Sequence, residues 1–560
     1  MKKSRRALSP AKARRKKNPR MEVYPVMTAN ALLGAAILIL ACLLSNRLFG
    51  RLGMPALLAF LGLGMLCGSD GLLKIAFDDF RLSEQVSSVA LIFIIFYGGF
   101  WTNWQRAKPV AARALLLSSA GVVLTAVFVG AFCHWALGMP PAESLLVGAL
   151  ISSTDAASVF SILRAKSLNL RYGTASMLEM ESGSNDCFSY MLTVVILAFM
   201  GGAAQGPAAV AWMLCLQIAA GAACGAGIGL AARYVLQRTT FDADGFDAIF
   251  LLAVALLSYT VPQTIGGNGY LSAYIAGMIL GNSPLPNKRS LLGFFDGLTG
   301  LMQMVLFFLL GLLSFPSSLP TVALPATLIA LFLTFVARPL SVALLLTPLR
   351  SPFRQQALVS WTGLRGAASI VFAIVATIDP AHTYSDIFHI IFFIVLLSVL
   401  FQGTLLPWVA RRLDMIDDEE DVRKTFNDYE ENVPLIFAEF TLKEASPWVG
   451  RLVRDLDLPP DTLLALVRRE GRNFAPDGNT RLQIGDVLVL GGKEVTSIDS
   501  AVLQERHVGR ESPLAGRPLR EAPSDMPLVV AVLRGQDVLI PRGDTILREG
   551  DTLIVYKGSE

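Results

Sequence analysis

Apolar stretches of about 17–25 residues recur from residue 28 to residue 410, each bounded by proline, glycine or charged residues. A stretch of this length and character is typical of a helix that crosses a lipid bilayer. The pattern predicts thirteen helices, at 28–46, 53–68, 86–102, 110–137, 142–163, 174–200, 207–236, 245–262, 268–282, 291–315, 321–347, 355–377 and 385–410. Several exceed one crossing and are expected to tilt or to extend past the lipid.

The composition agrees with a polytopic α-helical membrane protein whose first partner is the bilayer. Of the 560 residues, 53% are hydrophobic and only 16% are charged, and the mean hydropathy is +0.54. Such values exclude an ordinary soluble domain. The six cysteines and four histidines show no metal-ligand spacing, so we expect no zinc site, and nothing in the sequence indicates a nucleic-acid partner.

Charge along the chain predicts the orientation of these helices. Arg and Lys fall in every second connection, whereas the intervening connections at 138–141, 201–206, 263–267, 316–320 and 379–384 carry almost none. The positive-inside rule therefore predicts that the basic connections and the C-terminal tail lie in the cytoplasm of a cell (inner) membrane. Thirteen crossings then place the N-terminus outside.

The first twenty residues disagree with that placement, because they carry ten Lys or Arg and no acid. Three explanations stay open: translation begins at Met21, residues 1–20 are a tag or a misassigned extension, or the helix count is off by one. We favour Met21 and treat 1–20 as a basic, disordered leader. The transmembrane domain is then predicted at 21–413.

Beyond the last apolar stretch the chain becomes acidic and its pattern becomes strand-like. Residues 414–560 carry 28 acidic and 18 basic residues, with an acidic linker predicted at 414–432. Short strands are predicted at 463–467, 486–490, 528–533 and 551–556. Three short motifs recur about 65 residues apart, which predicts two copies of one small α+β module, at 433–503 and 504–560.

Carboxylates inside two apolar stretches point to the chemistry. Thr154-Asp155 lies in one, and the run from Glu181 to Asp186 lies in another. A charged side chain at the bilayer centre costs at least ~2.5 kcal/mol, so such residues mark ion or proton pathways by default. We therefore predict an ion pathway here.

Helical spacing groups the residues of the second motif. Ser182 and Asp186 lie one turn apart on one face, and so do Glu181 and Asn185. An alkali cation prefers oxygen ligands, which Asp186, Ser182 and Thr154 offer. Burial disfavours the charged form of a carboxyl group. We therefore expect Asp186 to hold either a proton or an alkali cation, which is the only metal ion expected.

Three further charges have open roles. Asp155 is either a helix-end partner or a second cation contact. Arg365 needs a partner at membrane depth. Arg338, which precedes a proline, is interpreted as a structural partner of a helix end. Asn185 is a neutral neighbour, where an aspartate would add a second titrating group.

Taken together, three segments resemble a known family. Thr154-Asp155, Glu181-Ser182-x-x-Asn185-Asp186 and Gly363-Leu364-Arg365-Gly366-Ala367 are similar to the motifs of NhaP- and NHE-type monovalent cation/proton antiporters. Gly277-x-x-Leu280-Gly281-Asn282 is a weaker match, and Ala156 replaces the proline that relatives often carry. The resemblance still implies a crossed, partly unwound helix at Thr154, because the hydroxyls of Ser152, Ser153 and Thr154 are available to the freed backbone groups. The tail repeats resemble TrkA-C modules, the C-terminal regulator-of-potassium-conductance type.

The resemblance implies an inverted-repeat fold, a homodimer, and an ion pair between Glu181 and Arg365 that leaves Asp186 free. One titrating carboxylate then implies electroneutral exchange of one cation for one proton. The tail type favours K⁺ over Na⁺ and implies regulation by a cyclic dinucleotide or an ion, with dimerisation or structural support alone as the alternative role of the tail. No cofactor is expected, because 414–432 is too short for a Rossmann nucleotide-binding unit.

Three alternatives remain. One is a Na⁺/H⁺ antiporter with the same site. A tail-gated potassium channel would need a filter sequence that is missing, and it does not need buried titrating carboxylates. A membrane enzyme or sensor would need a catalytic cluster, and the sequence offers none.

Overall fold

The computed structural model describes residues 33–44 except 35 and 38, residues 56–417 except 166–167, 204–205, 240–244 and 382–384, and most of 435–556. In that last part the gaps are 445, 447, 457, 459–461, 470–471, 494–502, 510–511, 513, 524–525, 527, 535–536 and 540. The leader at 1–20 and most of the linker at 414–432 lie outside the described residues. The chain forms two compact units, 1–430 and 431–560, and each is described by itself.

The first unit is helical. Its α-helices are α1 Ala56–Cys67, α2 Phe80–Trp101, α3 Trp104–Ala107, α4 Ala111–Ser118, α5 Ala120–Leu137, α6 Pro141–Leu150, α7 Ala156–Ala165, α8 Thr174–Met200, α9 Pro207–Arg238, α10 Phe246–Thr264, α11 Gly269–Gly281, α12 Lys288–Leu313, α13 Leu319–Phe332, α14 Arg338–Leu346, α15 Phe353–Trp361, α16 Ala367–Ile378, α17 Ile387–Leu397 and α18 Thr404–Arg412. Short π-helical turns, Leu333–Ala337 and Ser398–Gly403, join α13 to α14 and α17 to α18.

Within the described residues, eight helical stretches are long and apolar enough to cross a membrane, and four shorter apolar helices accompany them. Part of the first predicted helix, at 33–44, is also helical. The polytopic helical fold predicted from the sequence is therefore confirmed. The predicted helices 142–163 and 355–377 are each broken in the middle. The first break lies at Thr154, where the resemblance implied an unwound helix, and the second was not expected.

Both breaks lie in polar or glycine-containing sequence. Helix α6 ends at Leu150 and α7 begins at Ala156, and the Ser152 hydroxyl donates to the Ala149 carbonyl at 2.6 Å. Hydroxyls of this kind satisfy backbone groups that unwinding leaves free. The break therefore forms without a proline at position 156. In the second break, a side chain on Gly366 would collide with Asp155, so glycine permits the close approach of the two segments.

The two broken helices occupy equivalent places in a repeat. Each lies between two long helical stretches: Trp104–Leu137 and Arg171–Met200 flank the first, and Pro316–Leu346 and Ile387–Arg412 flank the second. Helices α9 to α12 lie between these two triads. The second triad therefore begins seven crossings after the first, and corresponding helices run in opposite directions. This is the inverted repeat that the resemblance implied.

The second unit contains two four-stranded antiparallel sheets of the same order. The first has the order β3-β6-β4-β5, with β3 Leu435–Thr441, β4 Thr462–Arg469, β5 Arg472–Phe474 and β6 Val487–Lys493. The second has the order β7-β10-β8-β9, with β7 Leu503–His507, β8 Leu528–Arg534, β9 Asp537–Leu539 and β10 Thr552–Tyr556.

The described part of these modules contains strands and two 3₁₀ turns, Val453–Asp455 and Leu519–Glu521, but no α-helix. The four predicted strands correspond to β4, β6, β8 and β10, which include the two central strands of each sheet. Central strands are the most apolar, so their pattern is the easiest to recognise.

Candidate functional site

The unwound segments of the two broken helices meet inside the first unit. The Asp155 N–H donates to the Leu364 carbonyl at 2.8 Å. The Arg365 guanidinium donates through Nη1 to the carbonyl oxygens of Ser152, at 2.9 Å, and Ser153, at 2.6 Å. Each segment thus donates hydrogen bonds to carbonyl groups of the other segment, which have no partner within a helix.

Asp186 lies on α8 beside this crossing and accepts a hydrogen bond from the Ser153 hydroxyl. Ser182, one turn before it, donates to the Thr154 carbonyl at 2.7 Å. The Asn185 amide donates to the Thr154 hydroxyl oxygen at 2.5 Å. The structure thus gathers Asp186, Ser182, Thr154 and Asn185, all named from the sequence, at one place.

Asp155 has the helix-end role that was one of its two alternatives. Its carboxylate accepts from the Ser158 N–H at 3.2 Å and from the Ser158 hydroxyl at 2.5 Å. This arrangement caps the N-terminus of α7. The same side chain also lines the cavities described next, so the capping role does not remove it from the site.

Two cavities meet at Asp186. The larger, of about 360 Å³, is lined by residues of α2, α7, α8 and α12, and its acidic side chains are Asp155, Glu179, Asp186 and Asp296. The smaller, of about 50 Å³, has the apolar side chains Leu57, Leu91 and Phe307 in its wall, together with polar residues of the crossing. Asp155 and Asp186 line both. The carboxylate of Asp186 therefore sits where water-accessible space narrows.

The structure contradicts the expected ion pair between Glu181 and Arg365, because Glu181 pairs with a different arginine. Glu181 accepts from Nη2 of Arg338 instead, and both side chains are buried, at 1% and 3% exposure. Arg365 is equally buried, but its Nη1 is occupied by the two carbonyl oxygens of the first break. Arg365 thus binds carbonyl oxygens of an unwound backbone in place of a carboxylate. The sequence pattern does not show this.

Sequence reasoning missed several polar groups of the site. Ser153 bonds Asp186 directly, and Glu179, Asp296 and Gln303 line the larger cavity. Asp296 and Gln303 belong to an apolar helix, α12, in which Asp296, Thr299, Gly300 and Gln303 follow i, i+3, i+4, i+7 spacing. That spacing places them on one face, and it was a recognisable signal of a polar stripe.

Comparison with known proteins agrees with this geometry. Residues 35–412 match the family model described as sodium/hydrogen exchanger, transmembrane. Residues 437–495 and 503–558 each match the TrkA-C domain. The first match covers more than half of the chain, and the other two coincide with the two sheets.

Curated relatives match both parts. The K⁺/H⁺ antiporter NhaP of Alkalimonas amylolytica is 35% identical over 461 residues, which cover 81% of this chain and 80% of the relative. The K⁺/H⁺ antiporter NhaP2 of Shewanella sp. (strain MR-4) is 35% identical over 473 residues, covering 83% and 81%. The Na⁺/H⁺ antiporter ApNhaP of Aphanothece halophytica is 25% identical over 400 residues, covering 68% and 74%.

A solved structure shares the fold of the helical unit. The sodium proton antiporter MjNhaP1 of Methanocaldococcus jannaschii at pH 8 matches with a TM-score of 0.59 and 24% identity, covering 66% of this chain and 99% of that one. The broken, crossed helices, the buried carboxylate between them and these matches lead to one conclusion. The chain belongs to the sodium/hydrogen exchanger family of cation/proton antiporters, and it carries two TrkA-C domains at its C-terminal end.

Proposed function

We propose that this antiporter exchanges one K⁺ for one H⁺, and that Asp186 binds the two in turn. The observation that carries the proposal is the position of Asp186 beside the crossing, where it lines both cavities. A site that is reached from one side at a time, and that binds either ion but not both, is sufficient for antiport.

The proposed cation ligands are Asp186, Ser182, Thr154 and Asp155. The hydroxyl of Ser182 donates its proton to a carbonyl, and its oxygen is an acceptor of the kind that an alkali cation binds. The Thr154 hydroxyl accepts from Asn185 and keeps a further lone pair. Carboxylate and hydroxyl oxygens suit a hard alkali cation.

Charge balance around the crossing supports electroneutral exchange. Arg338 and Arg365 contribute two positive charges, which Glu181 and Asp155 offset. Of the two carboxylates that line both cavities, Asp155 and Asp186, Asp186 is then the one without an offsetting positive charge, and one K⁺ or one proton neutralises it. Its neighbour Asn185 adds no charge.

K⁺ is the proposed cation because the two relatives that are 35% identical are named K⁺/H⁺ antiporters. The runner-up is Na⁺, because ApNhaP, at 25% identity, is named a Na⁺/H⁺ antiporter and the oxygen ligands suit both ions. The proposed activity is transport alone, without covalent chemistry or a bound cofactor.

The larger cavity is proposed to open to the cytoplasm of a cell (inner) membrane. Its lining residues Trp101, Glu179 and Asp296 lie a few residues along the chain from Arg106, Arg171 and Arg289, which belong to the basic connections. The positive-inside rule assigns those connections, and the tail that follows the last helix, to the cytoplasmic side. The structure then corresponds to an inward-facing state.

The tail is proposed to regulate transport in a homodimer, with a cyclic dinucleotide or an ion as effector. A physical connection to the site supports regulation. Strand β2, Ile416–Asp417, at the start of the linker, pairs with β1, Asn169–Leu170, which leads into α8. A displacement of the linker therefore acts close to the start of α8, the helix that carries Asp186.

Proteoliposomes with an internal pH dye test the transport proposal. Addition of K⁺ should drive proton movement in the wild type and not in Asp186→Asn. A matched control is Asp70→Asn, which neutralises a loop carboxylate bonded to Ser317, and it should behave as the wild type. Faster exchange with Na⁺ than with K⁺ would select the runner-up cation, and an active Asp186→Asn would refute the site.

Electroneutrality is tested with the same vesicles by imposing membrane potentials of both signs. One-for-one exchange moves no net charge, so the initial rate should not change. A rate that follows the potential would contradict the one-to-one stoichiometry and leave the rest of the proposal standing.

A further inference from the structure

We infer that Gln303 is a specificity-determining residue of the cation site. Its side-chain amide oxygen contacts the cation, or a water of its hydration shell, while the cation is on Asp186, and so sets cation affinity and the preference between K⁺ and Na⁺. This inference rests on the proposed function, since it needs Asp186 to be the cation site.

The first observation concerns the residues that the two cavities share, which form the partition between them. Four residues line both: Ile94 on α2, Gln303 on α12, and the two carboxylates Asp155 and Asp186. Helices α2 and α12 lie outside both inverted triads. Gln303 is thus the polar side chain that these outer helices contribute to the partition, opposite the carboxylates of the crossing.

The face of α12 that borders the cavities is the second observation. Asp296, Thr299 and Gln303 line the larger cavity in successive turns. One turn beyond Gln303, Phe307 lines the smaller cavity. The polar face therefore ends at the level of Asp186. Gln303 is the last polar group that a cation meets on α12 before the apolar wall.

The chemistry of an amide fits this position. Its carbonyl oxygen is a hard, neutral ligand with two lone pairs, and it does not titrate. Such a group changes cation binding without competing for protons. A neutral ligand also leaves the charge balance of the crossing unchanged, whereas a further carboxylate beside Asp155 and Asp186 would alter it.

The experiment measures cation KM, maximal rate and pH profile in proteoliposomes for Gln303→Leu and Gln303→Asn. Leucine keeps about the same bulk and removes the amide. We expect the K⁺ KM to rise about tenfold, with the maximal rate and the pH profile at saturating K⁺ unchanged. Asparagine retains the oxygen but withdraws it by one methylene, so the ratio of the K⁺ and Na⁺ KM values should change.

Thr299→Val is the matched control, because it removes one polar group from the same face of α12 but does not line the smaller cavity. It should leave both KM values within about twofold of the wild type. An equal rise in Thr299→Val would show a general effect of cavity polarity and overturn the inference. So would a wild-type KM in Gln303→Leu, or a loss of maximal rate at unchanged KM.

Wild type and Asp186→Asn are measured beside these variants. If the wild type moves no protons, or if Asp186→Asn is active, the proposed function fails first. If both behave as proposed and Gln303→Leu keeps the wild-type KM and ion preference, only the role of Gln303 is refuted.

Discussion

Glu181 and Arg338 form a buried ion pair that joins the two inverted triads. The two residues are 157 positions apart; Glu181 lies on α8 and Arg338 begins α14. Both are almost fully removed from solvent. The pair therefore fixes the helix that carries Asp186 against a helix of the other triad.

Removing one partner of this pair should be strongly destabilising. Glu181→Gln or Arg338→Gln leaves a buried charge unpaired, which typically costs roughly 3–5 kcal/mol. The double variant should lose less stability than the sum of the two single variants, because neither charge is then left alone. Thermal unfolding of the detergent-solubilised protein, followed as a double-mutant cycle, measures this coupling.

The cycle between Glu181 and Arg365 is the matched comparison. Arg365 bonds backbone carbonyls of the other break, so its coupling to Glu181 should be smaller than that of Arg338. A larger coupling to Arg365 would restore the pair that the resemblance implied and contradict the pairing observed here.

The sequence was sufficient to predict the helices and the functional carboxylates for simple physical reasons. Long apolar runs have few alternatives to a transmembrane helix. Asp155, Glu181 and Asp186 stand out because charges are rare in such runs. Arg and Lys in every second connection then show where those connections lie between the apolar runs.

The apolar pattern by itself does not show the path of the backbone inside an apolar run, and the second break was not expected at all. The breaks at 151–155 and 362–366 contain no proline, and several of their free backbone groups are satisfied by partners more than two hundred residues away, as with Arg365 and Ser153. The sequence favoured Arg365 as the partner of Glu181 and assigned Arg338 to a helix end, because nothing in an apolar run shows which buried arginine reaches a given carboxylate. Gln303 taken singly gives no signal, since an uncharged amide in a long helix is common; its helical spacing with Asp296 and Thr299 is what indicates a polar stripe.

Close packing between α2 and α11 leads to a second prediction. A Cβ on Gly99 would collide with the Tyr274 carbonyl, whereas a Cβ on the adjacent Gly98 would meet nothing within 4 Å. Gly99→Ala should therefore force the helices apart and cost about 1–3 kcal/mol. Gly98→Ala should be neutral or slightly stabilising, because alanine favours a helix over glycine.

Thermal unfolding of both variants in the same detergent checks this prediction. The comparison is sharp because the substitutions are chemically identical and neighbouring. Equal melting temperatures for Gly98→Ala and Gly99→Ala would show that α2 and α11 are not packed through Gly99.

Equivalent ion pairs in the two TrkA-C domains make tail stability depend on pH. Arg469 holds Asp486, and Arg534 holds Asp551, each through two contacts of 2.7–2.8 Å. The hydrogen bonds from these arginines lower the pKa of Asp486 and of Asp551 below the usual value. Both carboxylates are 1% exposed, so they are charged and paired in the folded tail.

A lowered folded-state pKa means that stabilisation is fully present above the unfolded value, ~3.9 for aspartate, and is lost as pH falls through the folded pKa. We expect protection of the β6 and β10 amides against hydrogen exchange, corrected for intrinsic rates, to be constant near pH 7 and to fall in acid. Asp486→Asn should reduce protection of β6 at pH 7 by about 1.5–3 kcal/mol, the worth of a charged hydrogen bond.

The control for this measurement is Asp455→Asn, since the side chain of Asp455 is 59% exposed and its contact with Arg454 is 3.8 Å. Exposed pairs contribute little, so protection should stay at the wild-type level. Equal losses in Asp455→Asn and Asp486→Asn would indicate a general charge effect and refute a specific role of the buried pair.

Contacts at the start of the linker lead to the last prediction. Met415 is fully buried, and its carbonyl accepts from the Arg171 N–H at 2.9 Å. Asp414 contacts Arg171 at 3.2 Å and Arg354 at 2.7 Å. Because these ion pairs are exposed and contribute about 0–1 kcal/mol each, the buried methionine is expected to provide most of the attachment.

Met415→Ala should weaken this attachment by about 2–5 kcal/mol and uncouple the tail from the helical unit. The measurement is the ratio of transport rates between the full chain and a chain truncated after residue 432, with Leu405→Ala on an exposed part of α18 as control. In Met415→Ala the ratio should move towards one, because a loosened linker transmits less force to α8. An unchanged ratio in Met415→Ala, beside a clear tail effect in the wild type, would show that the tail acts on transport by another route.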